Sequence, residues 1–256
     1  MAHVQAIHLS AVKSLQLQSV TEARIDRDGI PGDREFLLLD DRDRAATQRE
    51  LGVLAQVSSR YDGTVLELHM PGGEVISGEP RHGELAHTDL WGRAVTGPLV
   101  EGPWAEALSK LAQKRLRLMH PAAAERGLDS HPVSMLSQAA VDQLGAHAGR
   151  NGDLDARRFR PTVLIKDCGA HAEDEWVGRS VQVGEAVITV VRFDPRCALT
   201  TRHPETGERD ADMLRWIDQT RGRVEGEVCF GVYADVAKPG TVRVGDTVEP
   251  LPEGSG

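Results

Sequence analysis

RSVQVGEAVITVVRFDPRCALTT, residues 179–201, sets the reading of the whole chain. Its first part is rich in Val, Ile and Thr, the composition of a packed β-strand, and it runs out at Asp194-Pro195-Arg196-Cys197 into a polar loop. Runs of the same style recur on either side. PTVLIKD (161–167), EVCFGVYADVA (227–237) and TVRVGDTVEPL (241–251) read as strands in the second half, and VQAIHL (4–9), VTEARI (20–25) and EFLLLD (35–40) in the first. The unbroken Leu37-Leu38-Leu39 predicts a central strand covered on both faces. Turn sequences at residues 28–33, 71–73 and 91–93 punctuate TVLELHM (64–70) and EVISG (74–78), which predicts a hairpin-rich sheet or barrel. Helical spacing is confined to three short stretches: 103–113 (Trp104, Leu108, Leu111), 138–147 behind a Ser137 cap, and 210–220 (Met213, Leu214, Ile217). The expected fold is mixed and mostly β with some α. An N-terminal β-barrel domain over 1–100 would precede a second β-barrel domain over 101–256 with short flanking helices, and residues 252–256 would form a free tail.

With 256 residues, 40% of them hydrophobic, the chain can bury a substantial core. Asp and Glu number 39 against 30 Lys and Arg, which disfavours a broad grip on nucleic acid or an anionic membrane, and 4% aromatic residues leave little for a base-stacking platform. The N-terminus does not read as a signal peptide, and no run approaches the roughly 20 apolar residues that span a bilayer. The three cysteines, Cys168, Cys197 and Cys229, form no CxxC hook. Structural zinc, a cysteine-ligated cluster and a disulfide framework are therefore not expected, and a reducing cytoplasm is. Neither nucleic acid nor a membrane is expected as a partner.

Cys197 leaves its strand beside Arg196, with Arg192 nearby, and such charges favour a thiolate, the form that attacks electrophiles or binds metal. The plainer reading is a small hydrophobe at a strand end; for Cys168 and Cys229, set in apolar sequence, packing is the better account. The pairs His120/His131 and His82/His87 lack zinc-site spacing, and Glu173-Asp174-Glu175 reads as a solvated turn before a strand. Neither a GxGxxG nor a Walker-type phosphate loop occurs.

Five pieces in fixed order, Val12-Lys13-Ser14-Leu15, Gly32-Asp33-Arg34, Leu136-Ser137, Arg158-Phe159-Arg160-Pro161 and Arg196-Cys197-Ala198-Leu199-Thr200, resemble the MOSC domain with its N-terminal β-barrel partner. The likeness is greatest to the branch that includes the mitochondrial amidoxime-reducing component and its bacterial relatives. It implies a molybdenum-molybdopterin cofactor with Cys197 as metal ligand and catalytic residue. Lys13, Ser14, Arg34, Ser137 and Arg160, with Thr162 and Thr200, would contact the cofactor; Thr162 departs from the Asn usual in that branch. Such charges, hydroxyls and amides are what a phosphate-bearing pterin requires. The activity implied is reduction of N–O bonds in an N-hydroxylated small-molecule substrate, with electrons from a separate donor protein of ferredoxin, flavodoxin or cytochrome type with its reductase. Two other readings use the same thiol: a persulfide-forming sulfur carrier or transferase, and a non-enzymatic cofactor-binding or storage protein.

Overall fold

The structure is a computed structural model that describes residues 1–150 and 152–252; most of the segment read as a free tail lies outside the described residues. In chain order the strands of the first half are β1 (Ala2–Leu9), β2 (Gln18–Val20), β3 (Glu22–Ile25), β4 (Leu37–Leu39), β5 (Ser58–Tyr61), β6 (Leu66–His69), β7 (Val75–Gly78), β8 (Arg81–Leu90) and β9 (Arg93–Glu101). There follow α1 (Trp104–Ala112), β10 (Arg117–Met119), β11 (Val133–Ser137), α2 (Gln138–His147), β12 (Val163–Lys166), β13 (Ser180–Val183) and β14 (Ala186–Pro195). The chain then adds α3 (Met213–Arg221), β15 (Cys229–Lys238), β16 (Gly240–Arg243) and β17 (Thr247–Pro250).

The ladder β12-β11-β15-β14-β13-β17-β1 closes on itself because β1 also pairs antiparallel with β12, Ile7 opposite Val163. Seven strands thus make a barrel with no free edge, and β2 is added outside β1. Its filling comes from alternate residues of these strands, including Val4, Ile7, Val163, Ile165, Ile188, Val190 and Val232. The first strand of the chain is therefore a stave of the barrel built by the second half. Residues directly after β1 emerge at its rim.

The intervening segment builds its own core. Sheets β4-β10-β9-β8 and β5-β6-β7 are tied to the β1 exit by bridges Val12–Phe36 and Gln16–Ser58. Phe36, Leu38, Leu54, Leu66, Leu68, Trp104, Leu108 and Leu118 pack together there. Helix α1 and strand β10, which lie beyond residue 100, belong to this first core, so the packing changes hands near Met119 rather than at 100/101. Helices α2 and α3 lie against the barrel through Val141, Leu144, Met213 and Ile217.

Three local expectations are corrected. Leu37–Leu39 is fully buried on both faces, yet β4 ends its ladder with β10 as its one strand partner; the cover comes from two side-chain clusters rather than from flanking strands. TVRVGDTVEPL is two strands, for the turn at 244–246 sends β16 to β3 and β17 to β13 and β1. The acidic run is no solvated turn: Glu173 is fully buried and accepts a 3.1 Å hydrogen bond from the Ser137 amide at the start of α2. An acidic side chain remote in sequence thus satisfies one of the free amides of a helix N-terminus.

Candidate functional site

A pocket of about 520 Å³ opens between the barrel rim and the first core. Lys13, Ser14, Arg34, Arg160, Thr162, Cys197 and Thr200 all line it, although they span nearly the length of the chain. Ser137 does not. Its side chain is fully buried on the other side of β11, where Oγ accepts from the His171 amide at 3.1 Å, so the structure does not bring Ser137 together with the other seven. The β-strand period explains this, since Ser134, three residues earlier on the same strand, faces the pocket instead.

Backbone strain marks this cavity. Nine non-glycine residues with left-handed φ occur among the described residues, and four of them, Ser14 (70°), Arg34 (51°), Trp91 (59°) and Arg160 (52°), line the pocket. Such conformations persist where surrounding structure over-determines them, and they gather at functional sites. At Arg34 the restraint is visible: its amide donates to Ser10 O (2.7 Å), its carbonyl accepts from Gly127 N (2.8 Å), and one guanidinium nitrogen donates to Arg160 O (3.3 Å). Its other fork meets Asp33, so the local ion pair and the pocket position coexist.

The lining carries seven Lys or Arg side chains against three carboxylates, in a chain with more acidic than basic residues. The Lys13 ammonium is buried and donates to Asp129 (2.6 Å) and to Gly127 O (2.8 Å); burial lowers its pKa. Burial alone would raise Asp129, but Lys13 and Arg34 outweigh it and hold this carboxyl well below the usual range, helped by the Trp91 indole N–H at 3.0 Å. Arg160 falls to about 10, first through burial and then through repulsion from Arg34. That surplus of positive charge, set among hydroxyls, matches an anionic ligand with many acceptors.

Cys197 stands at the end of β14, half-buried, where the strand gives way to a 3-10 turn over Ala198–Thr201. Thr200 fastens that turn, its amide and hydroxyl both donating to Cys197 O at 3.2 and 3.0 Å. Arg196 is directed away from the thiol. Its nitrogens donate to Phe230 O and Phe159 O (2.8 Å), and pair with Asp194 at 2.7 Å; Arg192 reaches out to Glu227 at 3.4 Å. The expected activation of the thiol by these two arginines therefore has no support in their contacts. Their neighbour Asp194 is the unusual acid: burial pushes it up to about 7 against the pull of Arg196. Tyr233 beside it is raised in turn, by burial and then by the Asp194 charge.

Asp129, Ser134, Asp194 and Tyr233 were not singled out from sequence. Asp194 could have been, since an acid inside strand sequence two residues before an Arg-Cys pair is out of place on an apolar strand. Elsewhere, His82 and His120, taken apart in sequence, are 3.0 Å from one another, and His171, Glu173 and Asp174 cluster with Arg221, whose guanidinium pairs with Asp174 at 2.5 Å. That cation already sits on the acidic cluster.

Comparison with known proteins agrees with this layout. Residues 1–114 match the MOSC N-terminal beta barrel domain and residues 123–249 the MOSC domain. Mitochondrial amidoxime-reducing component 1 of Mus musculus is 34% identical over 128 residues, 47% of this chain and 36% of that protein. The Homo sapiens protein of the same name is 31% identical over 128 residues, 47% of this chain and 37% of its own length. The matched segment thus spans little more than a third of these relatives. Among solved structures, the YUAD protein from Bacillus subtilis overlaps 97% of this chain and 94% of its own at a TM-score of 0.47 and 12% identity. With two family models covering all but the last few residues and a short joint, the chain belongs to the MOSC family, an N-terminal MOSC beta barrel domain followed by a MOSC domain.

Proposed function

We propose that this chain binds a molybdenum-pterin cofactor in the basic pocket and is the substrate-reducing component of an N–O bond reductase. One observation carries the reading: the Cys197 thiol opens into the same cavity as Lys13, Ser14, Arg34 and Arg160. The donor set fits the group, with a soft thiolate for the metal and cations and hydroxyls for a phosphate and pterin. The names of the relatives, amidoxime-reducing components, support amidoximes as substrates, a class we extend to related N-hydroxylated compounds. When bound, the cofactor would supply the two-electron chemistry that breaks the N–O bond.

The rest falls to the protein's own side chains. Reduction of R–NH–OH to R–NH2 and water consumes two electrons and two protons; the electrons come from a separate donor protein. Asp194, with a pKa near neutrality, and Tyr233 are the proton-holding groups of the pocket. Lys13, Arg34 and Arg160 hold the anionic end, and the carbonyl-anchored Arg196 keeps the Cys197 loop in place. The barrel rim excludes bulk water and orients the substrate.

The test is to purify the protein from a host that makes the cofactor and to measure molybdenum and pterin per chain, then N-hydroxylated amidine reduction with an artificial donor. Near-stoichiometric metal and turnover are expected. A metal-free protein that carries a persulfide on Cys197 would replace this reading with sulfur transfer; a loaded protein without turnover would leave cofactor storage.

A further inference from the structure

A second cavity shares Arg158, Arg160 and Leu199 with the large pocket and is closed by Gln48, Arg202 and His203. It has room for one small occupant, about 10 Å³. Five buried side-chain nitrogens lack a hydrogen-bond partner among the described residues, and four of them belong to residues of this one cavity: Gln48 Nε2, Arg158 Nε, Arg160 Nη2 and Arg202 Nε. Buried donors are almost always paired, so their concentration at one place calls for an acceptor.

These side chains cannot swing away to find one. Arg202 is held by its fork, Nη1 to Gly207 O at 2.7 Å and Nη2 to Arg49 O at 3.0 Å. Arg158 is held likewise by Asp210 at 2.5 and 2.8 Å and by Arg202 O at 2.9 Å. Charge points the same way. Arg158 has its carboxylate in Asp210, whereas neither Arg160 nor Arg202 has an ion-pair partner among the described residues. Both are depressed below the usual arginine value, by burial first and then by a neighbouring arginine. A water could accept two of the four hydrogen bonds and would cancel none of this charge. A phosphate or sulfate is too large for the space, whereas a halide, somewhat wider than water, fits once the lining gives by a few tenths of an ångström. We propose that this cavity is a binding site for a single small monovalent anion, chloride or another halide, held by Gln48, Arg158, Arg160 and Arg202. Since Arg158 and Arg160 also line the large pocket, the anion offsets the mutual repulsion of guanidiniums that the pocket keeps for its own ligand.

The test uses bromide. Crystals of the whole protein grown without halide and soaked in bromide are expected to show one anomalous peak within hydrogen-bonding distance of Arg160 and Arg202. In solution, bromide replacing a bulky organic anion at constant ionic strength raises the melting temperature saturably. Arg202→Gln weakens the half-saturating concentration by about tenfold, the loss of one charge-assisted hydrogen bond. Gln48→Leu, which keeps every charge, gives a smaller weakening and serves if Arg202→Gln does not fold. A peak without anomalous signal would make the occupant water and overturn the site; so would bromide stabilising parent and both variants alike, the mark of a general surface effect. Neither result bears on whether the large pocket takes a metal, which elemental analysis reads separately.

Discussion

Asp194→Asn is the sharpest probe of the electrostatics at the pocket. Asp194 is buried, its Oδ1 has no hydrogen-bond partner among the described residues, and its carboxyl is held near 7 instead of 3.8. A folded-state value above the unfolded one means that the unfolded chain loses its proton first as pH rises through 4, while the native protein keeps its own until about 7. Stability from this group is therefore fully present at low pH, declines between pH 4 and 7, and is level above that. At about 1.4 kcal/mol per pH unit, the decline between pH 5 and pH 8 comes to about 3 kcal/mol. Asparagine is neutral throughout and lacks it. Urea unfolding of cofactor-free parent and variant, followed by fluorescence of the four tryptophans, should show the variant gaining on the parent by that amount across the interval. Carboxyls distant from Asp194 cancel in the difference. If the two stability curves stay parallel from pH 5 to 8, Asp194 is ionised beside Arg196 throughout and its role as a proton-holding group is refuted.

Lys13→Met should cost the cofactor-free protein about 1–3 kcal/mol, because Asp129 loses its 2.6 Å partner but keeps the Trp91 hydrogen bond, and should lower pterin content per chain by about tenfold; denaturation and pterin assay check the two. Cys197→Ser should abolish molybdenum content while leaving cofactor-free stability within about 0.5 kcal/mol, since the half-buried thiol packs in no core cluster; elemental analysis beside a melting curve decides it. Gly231→Ala should destabilise by about 2–4 kcal/mol in chemical denaturation, for Gly231 has φ +83° and a Cβ there would stand 2.7 Å from the Met135 carbonyl across the β11–β15 ladder.

Strand composition, turn residues and helical spacing made the three helices and most strands legible, because each is a local property, whereas Ser58–Tyr61, Arg81–Leu90, Arg117–Met119 and Val133–Ser137 lack a strong apolar pattern and were not read as strands. What sequence could not supply was pairing. That β1 closes the later barrel depends on Ile7 meeting Val163, and nothing within VQAIHL announces a partner more than 150 residues away. The buried Leu37–Leu39 run reads as central because burial and centrality usually coincide; here side-chain clusters substitute for strands. Of the eight residues that resemblance named, the fold brings seven to one pocket, while the hydroxyl of Ser137 turns to the opposite side of its strand. Asp129 and Tyr233 gain meaning from the charges around them, and those charges converge through the fold alone.

The way the pocket cations are anchored also bears on what they are for. A side chain can be oriented by a carboxylate, which cancels its charge, or by a carbonyl, which does not. Arg196 is braced by Phe159 O and Phe230 O, Arg34 reaches Arg160 O, and Lys13 reaches Gly127 O. Those three also pair with carboxylates, Asp194, Asp33 and Asp129, as Arg158 does with Asp210 and Arg192 with Glu227, so the unmatched charge among the seven lining cations is that of Arg49 and Arg160, which have no carboxylate partner among the described residues. Partial burial of these two weakens the screening that water would give them. A site meant only to hold the barrel to the first core would be better served by matched ion pairs, since uncompensated buried charge is costly. Keeping that charge unmatched is favourable for a protein whose stable form includes an anionic ligand, and by mass action the ligand then returns the stability that the bare pocket gives up.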